Sequence, residues 1–270
     1  MKKIFFLSGI LILIFTAGCE EISNVEINLQ HKEFIVVQAE LKADNDFEGV
    51  LITKTLPVDQ VYDIKKVEIN NATAFIKVNG TQVIPIHYVT DGLYKPLDDI
   101  RIKPGSFYEL FVRINGKSVY AKTYVPAKPI IEDAVYRDGL FLSGDIIPKE
   151  NESYGALWVI IRGQNIISES SDFFSVVASP TTPLNMSIPV RTQDIAEEYR
   201  NDIYSGSTYL KIVALDISYV DFFKTKDNNK PIENSLTSGG GSVDWNVVGE
   251  DAIGLFIGLA EGDLIKPQIE

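Results

Sequence analysis

The side chains that most often act as nucleophile, general base or metal ligand are scarce in this chain. Its 270 residues include one cysteine, Cys19, and two histidines, His31 and His87. One cysteine cannot form an internal disulfide, an iron–sulfur site or a zinc ribbon, and no Gly-x-Ser-x-Gly elbow presents a serine nucleophile. The composition therefore favours a protein that is not an enzyme. His87 is expected to be an ordinary strand residue, satisfied by its neighbours.

Two acidic motifs have residue types that could form a chemical site. Asp44-x-Asp46-x-Glu48-Gly49 is similar to the start of a calcium loop, but the twelfth position, where a bidentate glutamate is needed, is Thr55. An acidic loop between two strands is the simpler interpretation. Asp98-Asp99 could do acid–base work if burial separated their pKa values, although solvated turn acids are commoner. The sequence accordingly predicts no metal ion and no cofactor.

Aromatic side chains are the most suggestive candidates for binding. Tyr219, Phe222 and Phe223 follow a predicted strand, and Trp245 follows a glycine-rich loop. Exposed aromatics beside loops can stack on a ligand or anchor a partner. The alternative is that all four fill a β-sandwich core. Trp158 lies within a predicted strand and has the same two interpretations, whereas Phe173-Phe174 is predicted to be core.

The N-terminus predicts an export signal. Lys2 and Lys3 precede an apolar run over 4–16, which is too short to cross a bilayer but has the length of a signal-peptide core. Ala17-Gly18 then precedes Cys19. This arrangement resembles the lipobox of bacterial lipoproteins, with Thr16 where leucine is commonest. The resemblance implies a signal peptide over 1–18, acyl chains on Cys19 and a lipidated tether over 19–33.

Charge excludes one class of partner and supports the anchor. The formal net charge is −12, so nucleic acid is not an expected partner. Cleavage before Cys19 would remove two lysines and no acids, which changes the net charge to −14. Anionic lipid would repel such a chain, so the acyl chains on Cys19 must hold it at the membrane. Glu20 and Glu21 resemble the surface-export signals of Bacteroidota lipoproteins.

From residue 34 the pattern is β throughout. Asn79-Gly80 and Asn115-Gly116 each separate two β-rich runs, as in tight hairpins with type I′ turns. Short strands at regular spacing over 34–126 predict an immunoglobulin-like β-sandwich. The runs are 34–41, 50–56, 67–69, 74–78, 82–84, 108–114 and 119–125.

Pro126-Ala127-Lys128-Pro129 is the predicted boundary between two domains, because prolines prevent strand pairing and stiffen a connection. The region 127–270 is predicted to be a second antiparallel β domain. Thr192 is expected to cap a short helix through Asn201, and Ser218 another through Lys224. The whole chain is thus predicted to be mainly β with one or two short helices. The strands expected after the boundary are 134–142, 156–162, 165–168, 173–178, 208–217 and 253–259.

Three segments of the mature chain resemble an uncharacterised family of Bacteroidota outer-membrane lipoproteins, catalogued as a domain of unknown function. The resemblance implies an outer-membrane location, at the periplasmic face or the cell surface, and an accessory role beside a TonB-dependent receptor. It supplies no catalytic or ligand-binding residues. A structural or adhesive surface protein is the alternative. The segments are 106–110 with 117–126, 215–224, and 246–256, where Gly249-Glu250-Asp251-Ala252 departs from the plainer glycine pair expected there.

Overall fold

Alternating β-branched and aromatic residues form strands along most of the chain after residue 33. The computed structural model describes residues 31–57, 59–179, 186–227 and 241–269. The predicted signal peptide 1–18, Cys19 and nearly all of the tether lie outside these residues. Within the described chain, no helix has both the length and the apolar character needed to cross a membrane.

In the first seven strands, buried residues alternate with more exposed ones along much of each strand. Both predicted hairpins are confirmed as type I′ turns, because Asn79 and Gly80 have φ of 49° and 69°, and Asn115 and Gly116 have φ of 49° and 84°. The strands are β1 (Ile35–Lys42), β2 (Val50–Lys54), β3 (Thr73–Val78), β4 (Gln82–Thr90), β5 (Leu93–Lys95), β6 (Ser106–Ile114) and β7 (Lys117–Val125).

Strand β4 is shared between two halves of a sandwich. Its first part pairs with β3 and its second part pairs with β5. Inward residues of β1 and β2 pack in one hydrophobic cluster with those of β3, β6 and β7. The first half of the sandwich therefore contains β1, β2 and β5, and the second contains β3, β6 and β7, with the core between them.

The later strands extend one half and add a second sheet. They are β8 (Ile131–Arg137), β9 (Phe141–Ile146), β10 (Glu152–Arg162), β11 (Asn165–Glu169), β12 (Val176–Ala178), β13 (Ile188–Arg191), β14 (Thr208–Asp216), β15 (Val247–Gly249), β16 (Ala252–Glu261) and β17 (Gln268–Ile269). Strands β13, β9, β8 and β17 form the separate sheet. Residues of β8 and β9 pack against β10 and β14 in a second core cluster, which includes Trp158.

Strands from the C-terminal part of the chain return to the N-terminal part. β16 runs parallel to β1, from the pair Ile35–Ala252 to the pair Lys42–Leu259, and also pairs with β14. β15 pairs with β7. Among the described residues, thirteen strands therefore form one continuous sheet that extends across the predicted boundary near residue 126. The division into domains 34–126 and 127–270 stays a prediction.

The described helical segments are short. The strand predicted at 67–69 is wrong. Residues Ile64–Val67 form helix α1 instead, because the Asp63 side chain accepts a hydrogen bond from the Lys65 amide at its start. A 3-10 turn at Glu197–Tyr199 leads into α2 (Arg200–Tyr204), and α3 is Tyr219–Thr225.

Neither predicted helix cap has a capping hydrogen bond. Thr192 directly follows β13, and its buried hydroxyl accepts a hydrogen bond from the Leu142 amide. The first helical turn begins at Glu197 instead. Helix α3 begins after Ser218 as predicted, but the Ser218 side chain does not cap it.

The strand predicted over 134–142 is divided between β8 and β9 by a tight turn at Asp138 and Gly139, both with positive φ. The prediction of a mainly β, sandwich-type fold with few short helices is confirmed. The closer likeness to an immunoglobulin domain stays a prediction.

Candidate functional site

The structure brings the four aromatic residues singled out from the sequence together. The ring centroids of Tyr219 and Phe222 are 5.4 Å apart, and those of Phe222 and Trp245 are also 5.4 Å apart. Tyr219 and Phe223 are 6.4 Å apart. Phe173 joins them at 6.2 Å from Tyr219 and 6.3 Å from Phe223. We call these five rings the aromatic cluster.

Helix α3 holds three of the rings on one side. Tyr219, Phe222 and Phe223 have the i, i+3 and i+4 spacing that places side chains next to each other on a helix. At the start of the helix, Asp216 accepts a hydrogen bond from the Ser218 amide at 2.7 Å. Near its end, Lys226 forms an ion pair with Asp172, the residue before Phe173. The helix is therefore fixed to the loop that supplies the fourth ring.

Phe173 occupies space that a glycine leaves free. A Cβ placed on Gly155 in β10 would lie 2.5 Å from Cγ of Phe173. Phe173 and Tyr219 pack together over Val213, Leu215 and Leu259, on the outer face of β14 and β16. The sequence interpretation of Phe173-Phe174 as core is thus half right. Phe173 is half-buried, but Phe174 is 51% exposed, and the Arg191 guanidinium lies 3.8 Å from its ring.

Trp245 is positioned by its two neighbours in sequence. The Asp244 amide donates to the Thr225 hydroxyl at 2.9 Å, which connects the segment to the end of α3. The Asn246 side chain accepts from the Phe256 amide at 2.9 Å and donates to the Phe256 carbonyl at 2.6 Å. These bonds hold the indole ring beside Phe222.

All five rings of the aromatic cluster are half-buried. They cover the apolar outer face of β14 and β16, as core residues would, and they also present ring surface to solvent, as a binding site would. The sequence treated these two roles as alternatives. The described structure shows packing on one side of the rings and partial exposure on the other, and a binding role stays a prediction.

The cluster borders an open groove on the outer face of β1, β2, β5 and β16, which we call the sheet groove. Its volume is about 810 Å³, within the range of small-molecule sites. Tyr219, the first residue of helix α3, forms one side of this groove. The described residues that line it are Gln38, Ala39, Glu40, Glu48, Gly49, Leu51, Leu93, Lys95, Tyr219, Leu255 and Ile257.

The strand register explains the apolar floor of the sheet groove. Gln38 of β1 lies opposite Leu51 of β2 and beside Leu255 of β16. Leu51 in turn lies opposite Leu93 of β5. Three leucines from three strands therefore line one row on a sheet face, where solvated antiparallel sheets usually place polar residues.

Charged groups surround that floor. Glu40, Glu48 and Lys95 form no ion pair within the part of the chain that the structure describes. Burial, together with the negative charges of Asp172 and Glu40, raises the pKa of Tyr219 to about 12. Its hydroxyl is therefore protonated at neutral pH. It has no hydrogen-bond partner among the described residues, so it can donate to a ligand.

One end of the rim has a fixed ion network. The Lys42 ammonium lies 3.0 Å from Glu261 Oε1, and Lys211 lies 4.0 Å from Glu261 Oε2. Burial raises the pKa of the Glu261 carboxyl, but the Lys42 hydrogen bond and the Lys211 charge outweigh it, so the pKa is lowered overall. Glu261 is thus ionised and paired with lysines, whereas Glu40 and Glu48 act on Lys42 only through their charge.

The remaining candidates from the sequence do not form a site. Asp44, Asp46 and Glu48 do not converge, and no group of three histidine, cysteine or acidic side chains suited to a metal ion exists among the described residues. His87 lies on β4 as predicted but is exposed rather than packed by its neighbours, and Asp98 and Asp99 are exposed in a loop. Cys19 lies outside the described residues.

Sequence reasoning missed a second surface on the outer face of β3, β6 and β7. Phe75, Phe111 and Tyr120 lie directly opposite one another across these strands. The signal was present in the alternation, because Phe107-x-Glu109-x-Phe111 and Tyr120-x-Lys122-x-Tyr124 place aromatic residues at outward positions. An outward position on a half-buried strand is usually polar.

Comparison of the chain with protein-family models and with curated proteins finds no match. The class of protein is therefore defined here by the fold and the site: a mainly β, sandwich-type protein with an open groove beside an aromatic cluster.

Proposed function

We propose that this protein is a non-enzymatic, outer-membrane-anchored lipoprotein that binds a ligand in the sheet groove. The observation that carries the proposal is the groove itself, which combines an apolar floor with carboxylates and a Tyr219 hydroxyl that have no partner among the described residues. Small-molecule sites in proteins have this composition: a mostly apolar lining with a few polar groups that fix orientation.

The polar groups of the groove favour one kind of ligand. The two carboxylates, Glu40 and Glu48, outnumber the one cation in the lining, Lys95, and the aromatic ring of Tyr219 attracts cations. A ligand that carries an ammonium or amidinium group beside an apolar surface complements this set. The leucine floor would contact the apolar part.

The lining favours binding over catalysis. In the commonest nucleophilic sites, a serine, cysteine or threonine lies next to a base such as histidine. None of the described lining residues is a serine, threonine, cysteine or histidine. We therefore assign the groove a binding role.

The anchor and the partner rest on the sequence resemblance. Acyl chains on Cys19 would hold the chain at the outer membrane, and the family resemblance supports an accessory role beside a TonB-dependent receptor. Cys19→Ser should move the protein from the membrane fraction to the soluble fraction. Retention of the variant in the membrane would contradict lipid anchoring. Co-purification with an outer-membrane barrel at native expression would support the partner, and its absence would contradict it.

The groove is tested with benzylamine, a cation with a flat apolar ring, and with benzyl alcohol as its neutral counterpart. We expect benzylamine to shift the amide NMR signals of Gln38, Leu51 and Leu255, and the alcohol to bind at least about tenfold more weakly. Asp98→Asn, an acid substitution outside the groove, is the matched control and should leave both affinities unchanged. Equal binding of the two probes, or shifts elsewhere, would contradict the proposed site.

A further inference from the structure

The outer face of the opposite half of the sandwich has a groove of its own. Its volume is about 460 Å³, which again falls in the range of small-molecule sites. We call it the aromatic–arginine groove. The residues that matter for its chemistry are Thr73, Phe75, Phe111, Arg113, Ser118 and Tyr120.

One wall is a continuous apolar row. Pro85, Phe75, Phe111, Tyr120 and Val248 lie directly opposite one another on five neighbouring strands. The row crosses four strand spacings of about 4.8 Å, so it is about 19 Å long. The rings of Phe75 and Phe111 are stacked at 4.9 Å, and Val248 at the end of the row is 64% exposed.

Cross-strand aromatic pairs also stabilise sheets, so the row alone does not define a site. The next row along the strands supplies the second observation. There, Arg113 lies opposite Thr73 on one side and Ser118 on the other. These three polar residues line the same cavity as the rings.

Arg113 is a cation without a partner within the described residues, in a chain whose formal net charge is −12. The acid on the same face of β6, Glu109, lies four residues away, and its Oε1 accepts a hydrogen bond from the Tyr120 hydroxyl at 2.8 Å. Burial and this hydrogen bond raise the pKa of Tyr120 to about 12, so the hydroxyl remains a donor to Glu109. Arg113 is therefore available to an external anion.

We propose that the aromatic–arginine groove binds an organic carboxylate with a flat apolar body. The guanidinium of Arg113 suits a carboxylate, because its planar donors match the two carboxylate oxygens. The rings of Phe75, Phe111 and Tyr120 contact the apolar body. The hydroxyls of Thr73 and Ser118 add hydrogen bonds at the carboxylate end.

This site is independent of the sheet groove. The two lie on the outer faces of opposite halves of the sandwich. Among the described residues, the unpaired charges are Glu40, Glu48 and Lys95 in the sheet groove and Arg113 in the aromatic–arginine groove. Loss of binding at one therefore leaves the other to be tested separately.

The experiment compares phenylacetate with its neutral amide, phenylacetamide. The full mature chain carrying Cys19→Ser is titrated, so that detergent micelles do not compete for the probes. We expect phenylacetate to shift NMR signals around Phe111, Arg113 and Tyr120, and to bind at least about tenfold more tightly than the amide.

Two variants separate the contribution of the Arg113 charge to binding from that of the aromatic rings. Arg113→Gln should reduce the affinity for phenylacetate to that for the amide and leave the amide unchanged. Phe111→Leu should weaken both probes. Arg101→Gln, an exposed arginine outside the groove, is the control and should change neither.

Circular dichroism melting verifies that each variant is folded before its titration is interpreted. Equal affinity for the acid and the amide, unchanged phenylacetate binding in Arg113→Gln, or absence of binding by phenylacetate would each overturn the proposal.

Discussion

The two outer faces of the sandwich differ in their charged residues and in the elements that border them. Within the described parts of the chain, the sheet groove has two carboxylates without an ion pair, Glu40 and Glu48, against one such cation, Lys95, and Tyr219 of helix α3 forms one boundary. The aromatic–arginine groove has a cation without a described partner, Arg113, beside a row of rings. Both faces are built on the same core, in which inward residues of β1, β3 and β6 alternate regularly.

The comparison shows which positions of this fold are free from the need to fill the core. Inward positions must fill the core, because large voids or polar atoms there are costly. Outward positions on an antiparallel sheet carry no such constraint. Leu51, Leu93 and Leu255 on one face, and Phe75, Phe111 and Tyr120 on the other, are therefore better evidence of function than any buried residue.

The largest effect is expected from disrupting the close contact between β16 and the end of β7, on which both outer faces depend. A Cβ on Gly258 of β16 would collide with the backbone of Tyr124 and Val125 at the end of β7. Gly258→Ala should therefore lower the free energy of unfolding by about 3 kcal/mol, since the backbone must move, and weaken binding at both grooves.

Chemical denaturation measures that loss. Gly80→Ala is the control, because nothing lies near a Cβ there, although its φ of 69° still costs about 1 kcal/mol. Equal effects of the two substitutions would contradict the close approach of β7 and β16.

The next largest effect is expected at the sheet groove alone. The double substitution Glu40→Gln and Glu48→Gln removes its negative charge while keeping the shape. We expect benzylamine to bind about tenfold more weakly, a loss of about 1.4 kcal/mol. Phenylacetate binding on the other face should not change. Isothermal titration calorimetry with both probes gives the comparison, and a parallel loss for both would argue against two independent sites.

A smaller effect is expected from the Tyr219 hydroxyl. Tyr219→Phe keeps the ring in the aromatic cluster and removes a donor with no partner among the described residues. We expect the free energy of unfolding to stay within about 0.5 kcal/mol of the original, with a benzylamine affinity that is unchanged. A ligand with a hydrogen-bond acceptor should lose about 1 kcal/mol. A large destabilisation would instead assign the hydroxyl a structural role.

The smallest effect is expected at a buried acid, Glu152, which differs from the exposed acids Glu40 and Glu48 of the sheet groove. Burial raises the pKa of Glu152, although the Tyr154 hydroxyl donates to its Oε2 at 2.7 Å. Because the folded state then binds a proton more readily than the unfolded state, Glu152 costs stability above its folded pKa, and this cost disappears as the pH falls toward the unfolded value.

Glu152→Gln should therefore flatten the pH dependence of stability above the unfolded pKa and stabilise the protein at pH 8 by less than about 1 kcal/mol. Urea denaturation between pH 4 and pH 8 measures this slope. Glu150→Gln, an exposed neighbour, should leave the slope as it is. A steeper slope in Glu152→Gln would reverse the assigned sign.

Local structure was predictable where a few neighbouring residues are enough to determine it. Asn79-Gly80 and Asn115-Gly116 determine their turns because both positions need positive φ. The spacing of Tyr219, Phe222 and Phe223 allowed their rings to be grouped. The helix at Ile64–Val67 was missed because Val67 and Ile69 match a strand pattern, while the deciding hydrogen bond comes from Asp63.

Non-local pairing was not predictable. β16 pairs in parallel with β1 across more than 200 residues, and nothing in either strand specifies that partner. The aromatic row was missed for the same reason, since its residues lie in five strands whose register only the folded sheet determines. Trp245 lies beside Phe222 because the side chain of the next residue, Asn246, is hydrogen-bonded to Phe256 in β16. That partner is distant along the strand order and could not be foreseen.

A crossed titration tests the central claim most directly. Benzylamine and phenylacetate are each titrated against the original chain, the Glu40→Gln, Glu48→Gln double variant and Arg113→Gln. The account predicts that the double variant weakens only benzylamine and that Arg113→Gln weakens only phenylacetate. Substitutions that affect neither probe, or both probes alike, would contradict two charge-selective binding faces on one sandwich.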